Sequence, residues 1–228
     1  MNTHAHRFLP RWNRIRTTPS VALVAASIVA SLLGGCSILR AGPDDSRYFV
    51  LSSMDATAAV SPGRTRTDVY FGLGPVKLPG YLDTQAVVRS APNGSIDYIP
   101  NAFWAEPLSD GFARALLYRT GARIGTTHAI AFPWYATTRV DWKVRVDVLR
   151  FEATTDGRAV LVARWSVARA SDGQTVAGAE SAFEESAGSD PVLVVDALSR
   201  CVDRLAETIA AAVTRPAATE SDSGRLSR

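Results

Sequence analysis

RVDWKVRVDVLRF, residues 139–151, carries apolar and charged side chains in alternation. Val140, Trp142, Val144, Val146 and Val148 fall on one side. Arg139, Asp141, Lys143, Arg145 and Asp147 fall on the other. A period of two over this length predicts a strand with one face buried and one face wet. Asp156-Gly157 then supplies a turn, and Ala159 to Ala168 (AVLVARWSVA) returns as a more apolar, more central strand. Asp172-Gly173 turns the chain again, and Thr175 to Glu185 returns a third time. The pattern predicts a three-stranded antiparallel meander.

Downstream, Asp190 is placed to cap a helix with Pro191 at its first position. Val194, Leu198, Cys201, Val202, Leu205 and Ile209 form its apolar stripe, with Asp196, Arg200, Asp203, Arg204 and Glu207 opposite. Upstream, a first helix is expected after Pro107, running through Leu108, Phe112, Ala115 and Leu116 to a stop at Gly121. Residues 124–136 read equally well as several things. Before that helix, strands are expected at Gln85–Ser90 and Ser95–Ile99, joined by Pro92-Asn93-Gly94. Asp68–Leu78 (DVYFGLGPVKL) reads as a strand bent or bulged at Gly72, Gly74 and Pro75. Tyr48–Leu51 reads as a short buried strand. The expected fold class is therefore α/β: one domain over residues 47–214, with a mixed, largely antiparallel sheet and at least two helices packed on it.

Both ends differ from this domain. Residues 1–20 carry Arg7, Arg11, Arg14 and Arg16 and no acid, and Val21–Leu33 (VALVAASIVASLL) is free of charge. Thirteen apolar residues are too few to cross about 30 Å of hydrocarbon, but they suit the core of an export signal. Leu33-Gly34-Gly35-Cys36 follows, and this resembles the lipobox of bacterial lipoproteins. The resemblance implies cleavage between Gly35 and Cys36, and an N-acyl diacylglycerol (a palmitate-type modification) on the Cys36 thiol and amine. Residues 1–35 are then a lipoprotein signal peptide. Residues 36–46 are a short lipidated tether, and residues 215–228 (RPAATESDSGRLSR) are expected to be a disordered tail. Ser37 after the Cys, rather than Asp, points to the periplasmic face of the outer membrane under the sorting rule of enteric bacteria.

The formal charge of +3 overstates the basicity. Four arginines leave with the leader, so the mature chain sits near neutrality, at about −1. That excludes nucleic acid as a partner class and a polybasic membrane patch. With Cys36 acylated, Cys201 is left without an internal disulfide partner, and it reads as a small core residue.

No catalytic constellation is legible. His128 is the one histidine of the mature chain, and one His with one buried Cys falls short of the three protein ligands that a metal site needs. Gly72-Leu73-Gly74 lacks a third glycine and is followed by Pro75, so it is no dinucleotide loop. Glu184-Glu185 sits near a strand end and reads as solvated. The expectation is a protein that is not an enzyme and holds neither metal nor cofactor beyond its lipid. Two readings stand for the aromatics Tyr81, Tyr98, Phe103 and Trp104: sheet-edge core, or a partner-contact patch. Tyr81, Phe103 and Trp104 are the candidate contact residues. Trp134 and Tyr135 carry the same ambiguity.

In order along the chain stand YFVL (48–51), GPVKLPGYLD (74–83), QAVVR (85–89), WAEPL (104–108), VRVDVLRF (144–151) and LVARW (161–165). This ordered set resembles the ABC-type transport auxiliary lipoprotein components, the family that includes PqiC-like lipoproteins. The resemblance implies a non-catalytic lipoprotein that serves an envelope transport system for phospholipids or other hydrophobic molecules. Its partners would be a substrate-binding protein of the MCE (mammalian cell entry) type with its permease and ATPase, and a homo-oligomer is left open. The alternative is a lipoprotein that itself binds a lipid or small apolar ligand. Tyr118-Arg119-Thr120 is more polar than a packed helix end of this family should be.

Overall fold

The computed structural model describes residues 45–51 and 68–215. Gly35, Cys36, the leader, most of the tether, the segment 52–67 and all but the first residue of the tail lie outside the described residues.

Among the described residues, eight strands and two long helices follow one another as β1 (Arg47–Phe49), β2 (Phe71–Lys77), β3 (Ala86–Ser90), β4 (Ile96–Trp104), α1 (Leu108–Ile124), β5 (Ala129–Ala131), β6 (Trp142–Thr154), β7 (Arg158–Arg169), β8 (Thr175–Ser186) and α2 (Pro191–Thr214). The expected α/β class is what forms. β6 is the axis of the sheet. One edge of it pairs antiparallel with β7 along its length, and β7 pairs antiparallel with β8, which is the predicted meander. The other edge forks. Its first half pairs parallel with β2, and its end pairs parallel with β3. β2 continues to β5, and β3 continues antiparallel to β4 and then parallel to β1. The sheet is mixed, with its longest ladders antiparallel.

Both helices pack on one face, and they touch each other. On that side Val144, Val146, Val148 and Phe151 of β6 meet Val167, Trp165, Ala163 and Leu161 of β7 in register. The step from Val148 to Phe151 is odd because the ladder shifts register between Val148 and Arg150. A bulge of this kind returns the apolar side chain to the core face. The α2 stripe docks there: Val194, Leu198, Cys201, Val202, Leu205 and Ile209 are all buried. Each large aliphatic residue among them contributes about 1.5–3 kcal/mol of burial. The Asp190 side chain accepts from the Val192 N–H at 2.8 Å and so caps the helix as predicted.

Three expectations are corrected. Tyr48–Leu51 is not a buried strand. β1 is an edge strand in which Tyr48 is 65% exposed, Phe49 packs half-buried against the core and Leu51 is buried in it. Helix α1 does not stop at Gly121. It runs to Ile124 and closes on Gly125, whose φ of +82° permits the left-handed cap. Gly121 is buried inside the helix, where a Cβ would stand 3.3 Å from the Ala129 Cβ and the Thr126 carbonyl. Finally, the polar end of α1 is packed rather than loosely seated. Arg119 is 4% exposed and donates to the Ser199 carbonyl of α2. It also pairs with Asp203 at 3.2 Å, and Arg123 reaches the other oxygen of Asp203 at 3.1 Å. The polarity is the joint between the two helices.

Candidate functional site

The face of the sheet opposite the helices holds the chemistry. Glu152 on β6 points there, level with Val160 of β7, and is 2% exposed. A carboxylate at this depth needs donors. The Tyr81 hydroxyl donates at 2.6 Å, Arg150 Nε at 2.8 Å, the Phe151 N–H at 3.0 Å and the Ser90 hydroxyl at 3.3 Å. Burial, with the hydrogen bond to Glu152 added, pushes the Tyr81 phenol well above its ordinary range. Tyr81 is therefore a neutral donor, and its ring is fixed in place by the turn Gly80–Leu82 and the carboxylate beneath it.

An aromatic strip lies beside this network. β1 sets Tyr48 against Phe103 of β4, with ring centroids 5.7 Å apart. β3 sets Ala86 against Phe103, Val88 against Tyr98 and Ser90 against Ile96. Alternating β3 residues share a face, so Phe103, Tyr98 and Ile96 share it too, with Ser90 and Tyr48. Tyr98 is 57% exposed and Ile96 39%. The three candidate contact residues thus separate. Phe103 belongs to the strip, and Tyr81 lies half-buried next to it. Trp104 faces the other way, 4% exposed, and stacks on Phe151 in the core. Tyr48 was missed by sequence reasoning because YFVL has the composition of an interior strand.

A second aromatic group covers β2 on the same face. Trp134 sits over Gly72 and Phe132 over Gly74. The two rings meet edge to face at 5.2 Å. His128 stacks on Tyr70 at 4.1 Å, and the Arg139 guanidinium lies over the same Tyr70 ring at 4.1 Å. Tyr135 stands free at 82% exposure. The two glycines are the track on which the loop rests. Gly74 has φ +127°, and a Cβ there would lie 2.5 Å from the Phe132 Cβ. Gly74→Ala is expected to cost about 2–3 kcal/mol through backbone strain and the clash. Thermal unfolding should fall by roughly 5–10 °C, with new proteolytic cleavage inside 132–139. An unchanged midpoint and cleavage pattern would remove the glycine track as the reason for the motif.

The other residues weighed as chemistry are accounted for structurally. Cys201 is buried, its thiol 3.8 Å from the Ala159 and Phe183 carbonyls, and burial pushes it up to about 12. Glu184 pairs with Arg158, and Glu185 pairs with Arg200 and Arg204, each at 3.3 Å. Among the described residues, no group of three or more His, Cys, Asp or Glu side chains could hold a metal ion, and no helix is long and apolar enough to cross a membrane.

A family model described as the ABC-type transport auxiliary lipoprotein component matches residues 49–210. Among solved structures, one described only as an uncharacterised protein is 18% identical with a TM-score of 0.57, covering 72% of this chain and 96% of its own. A Xanthomonas campestris protein of the DUF330 family is also 18% identical, with a TM-score of 0.54, covering 67% of this chain and 88% of its own. At that identity the likeness establishes the fold. No curated protein matches the chain.

Proposed function

We propose a role that starts from one premise: the chain belongs to the family of ABC-type transport auxiliary lipoprotein components. It is on that footing an accessory to ABC-type transport. The finer reading is that the protein is non-catalytic and held by acyl chains on Cys36 at the periplasmic face of the outer membrane. There it docks the periplasmic part of an MCE-type system that moves phospholipids or other hydrophobic molecules.

The observation that carries the docking role is the apolar strip of exposed Tyr48, Tyr98 and Ile96 with half-buried Phe103. It begins on β1, the first strand after the tether. A residue of tether spans at most about 3.5 Å, so the ten or so residues from Cys36 to Arg47 keep the strip within tens of ångströms of the anchored end. Aromatic side chains with exposed polar tips are the usual anchors of protein contacts. His128, Cys201 and the Glu184-Glu185 pair are each occupied by stacking, burial or ion pairs, which supports the non-catalytic reading.

Photo-crosslinking in intact cells tests it. A photoreactive residue at Tyr98 should capture an MCE-type protein, while one at Val192 on the first turn of α2 should not. Tyr48→Ala with Tyr98→Ala should weaken capture at least tenfold, since two interface anchors together are worth about 2 kcal/mol or more. Capture of no MCE protein by a properly anchored chain would overturn the docking role.

A further inference from the structure

We infer that a cleft beside the start of α2 is a binding site for a small oxyanion, phosphate or carboxylate, with Arg89 as its recognition group. This rests on geometry independent of the docking surface and of the anchor, and it lies on the helix-bearing side of the sheet. Arg89 of β3 is level with Ala153 of β6, whose side chain is in the core. Arg89 lines a cleft of about 270 Å³, walled by Ile99, Thr155, Asp156, Ser189 and Val194.

Arg89 Nε is fully buried and has no hydrogen-bond partner among the described residues. No ion pair joins Arg89 to any described acid, although Asp97 stands opposite it in the ladder. This distinguishes it from Arg114, Arg119, Arg123, Arg150, Arg158, Arg164, Arg169 and Arg200, each of which meets a carboxylate. A buried guanidinium N–H without an acceptor costs free energy, and its planar fork matches two oxygens of one oxyanion.

The cleft's other charged side chain does not cancel it. Asp156 is committed to Arg158 at 2.9 Å, and hydrogen bonds from Thr154 and Arg158 hold its carboxyl below the ordinary range. Thr155 and Ser189 supply hydroxyls at the walls, and Gly157 and Gly188 bring two turns together at the floor. The Ala187 and Gly188 N–H groups both donate to the Gly157 carbonyl at 2.9 Å, which sets the shape of that floor without using Arg89. Ile99 and Val194 add an apolar edge, so an oxyanion bearing a short alkyl group also fits.

The test is a titration of the intact protein, followed by the Arg89 Nε–H and backbone amide NMR signals at constant ionic strength. Three probes are used separately: inorganic phosphate, acetate, and dihexanoyl phosphatidylglycerol below its micellar concentration. Saturable shifts at Arg89, residues 155–157 and 188–189 are expected with at least one of them. Saturation by phosphate or acetate alone identifies a free-anion site. Saturation by the lipid, with competition from phosphate, identifies a headgroup site. Arg89→Met should weaken the binding about tenfold or more, with Arg89→Lys between. Because Arg89 has no side-chain partner to lose among the described residues, Arg89→Met should unfold at no lower temperature than the natural protein when no oxyanion is present. Linear, non-saturating shifts with all three probes overturn the site. So does equal binding by Arg89→Met, or a loss of stability that marks Arg89 as structural. None of these outcomes depends on whether an MCE protein is captured or Cys36 is acylated.

Discussion

A chain carrying Cys36→Ala is expected to keep residues 1–35 and to incorporate no labelled fatty acid. The expected effect is the largest for any single residue. Each buried methylene of an acyl chain contributes about 0.8 kcal/mol to membrane binding, so one chain is marginal and two or three are effectively permanent. Nothing in the charge balance would replace them, because a chain cleaved before Cys36 would sit near neutrality without the Lys/Arg cluster that binds anionic lipid. Blocking acylation also blocks the peptidase, so the uncleaved leader would itself hold the chain at the inner membrane. A second variant separates anchoring from processing: with an ordinary secretory leader and Cys36→Ser, the domain should move to the soluble periplasmic fraction. Labelled fatty acid on the Cys36→Ala chain, or membrane sedimentation of the second variant, would defeat the assignment.

The proposed leader and lipobox rest on sequence alone, because an export signal would be read as a linear string before any fold exists, and they lie outside the described residues. The meander is legible for a different reason. A long ladder between β6, β7 and β8 needs alternation along every strand, and two Asp-Gly turns fix where it reverses. What was not legible depends on contacts between distant segments. Tyr48-Phe49-Val50-Leu51 has the composition of an interior strand, and only the parallel pairing of β1 with β4 makes it an edge. Gly121 looks like a helix stop because glycine favours one. It persists inside α1 because the Ala129 Cβ and the Thr126 carbonyl would each stand 3.3 Å from a Cβ there, tighter than ordinary contact. Gly72 and Gly74 suggest a bend, yet what they accommodate is an aromatic loop some sixty residues later.

The candidate site shows the same division. Aromatics before α1 are visible as a group, but their sorting into contact and core depends on β4. The ladder between β3 and β4 slips between Ala86 and Val88, and Asn101 takes φ +56° within it. That irregularity puts Phe103 on the same face as Tyr98 and leaves Trp104 against Phe151. A regular strand would have reversed the assignment of Phe103 and Trp104 relative to Tyr98. Arg89 carries no local signal at all. QAVVRS reads as a strand with one charged residue, and the cleft around it is assembled from β4, the β6–β7 turn and the start of α2.

Asp203→Ala should be the most destabilising single substitution at the joint between the helices. Asp203 neutralises Arg119, which is 4% exposed, and also meets Arg123. Without the carboxylate, the Arg119 guanidinium keeps its bond to the Ser199 carbonyl but loses its counter-charge in a buried setting. Breaking a buried pair on one side costs roughly 3–5 kcal/mol. The Asp203 side chain is 30% exposed, so water can partly screen the remaining positive charge, and the lower end, about 3 kcal/mol, applies. For a domain of this size the unfolding midpoint should drop by roughly 6–12 °C. Packing should suffer less than charge, so pairing Asp203→Ala with Arg119→Met should recover much of the loss by replacing the buried cation with an apolar side chain of similar length. If the double variant is as unstable as the sum of its single changes, the two residues are not coupled. The polar end of α1 would then need another explanation.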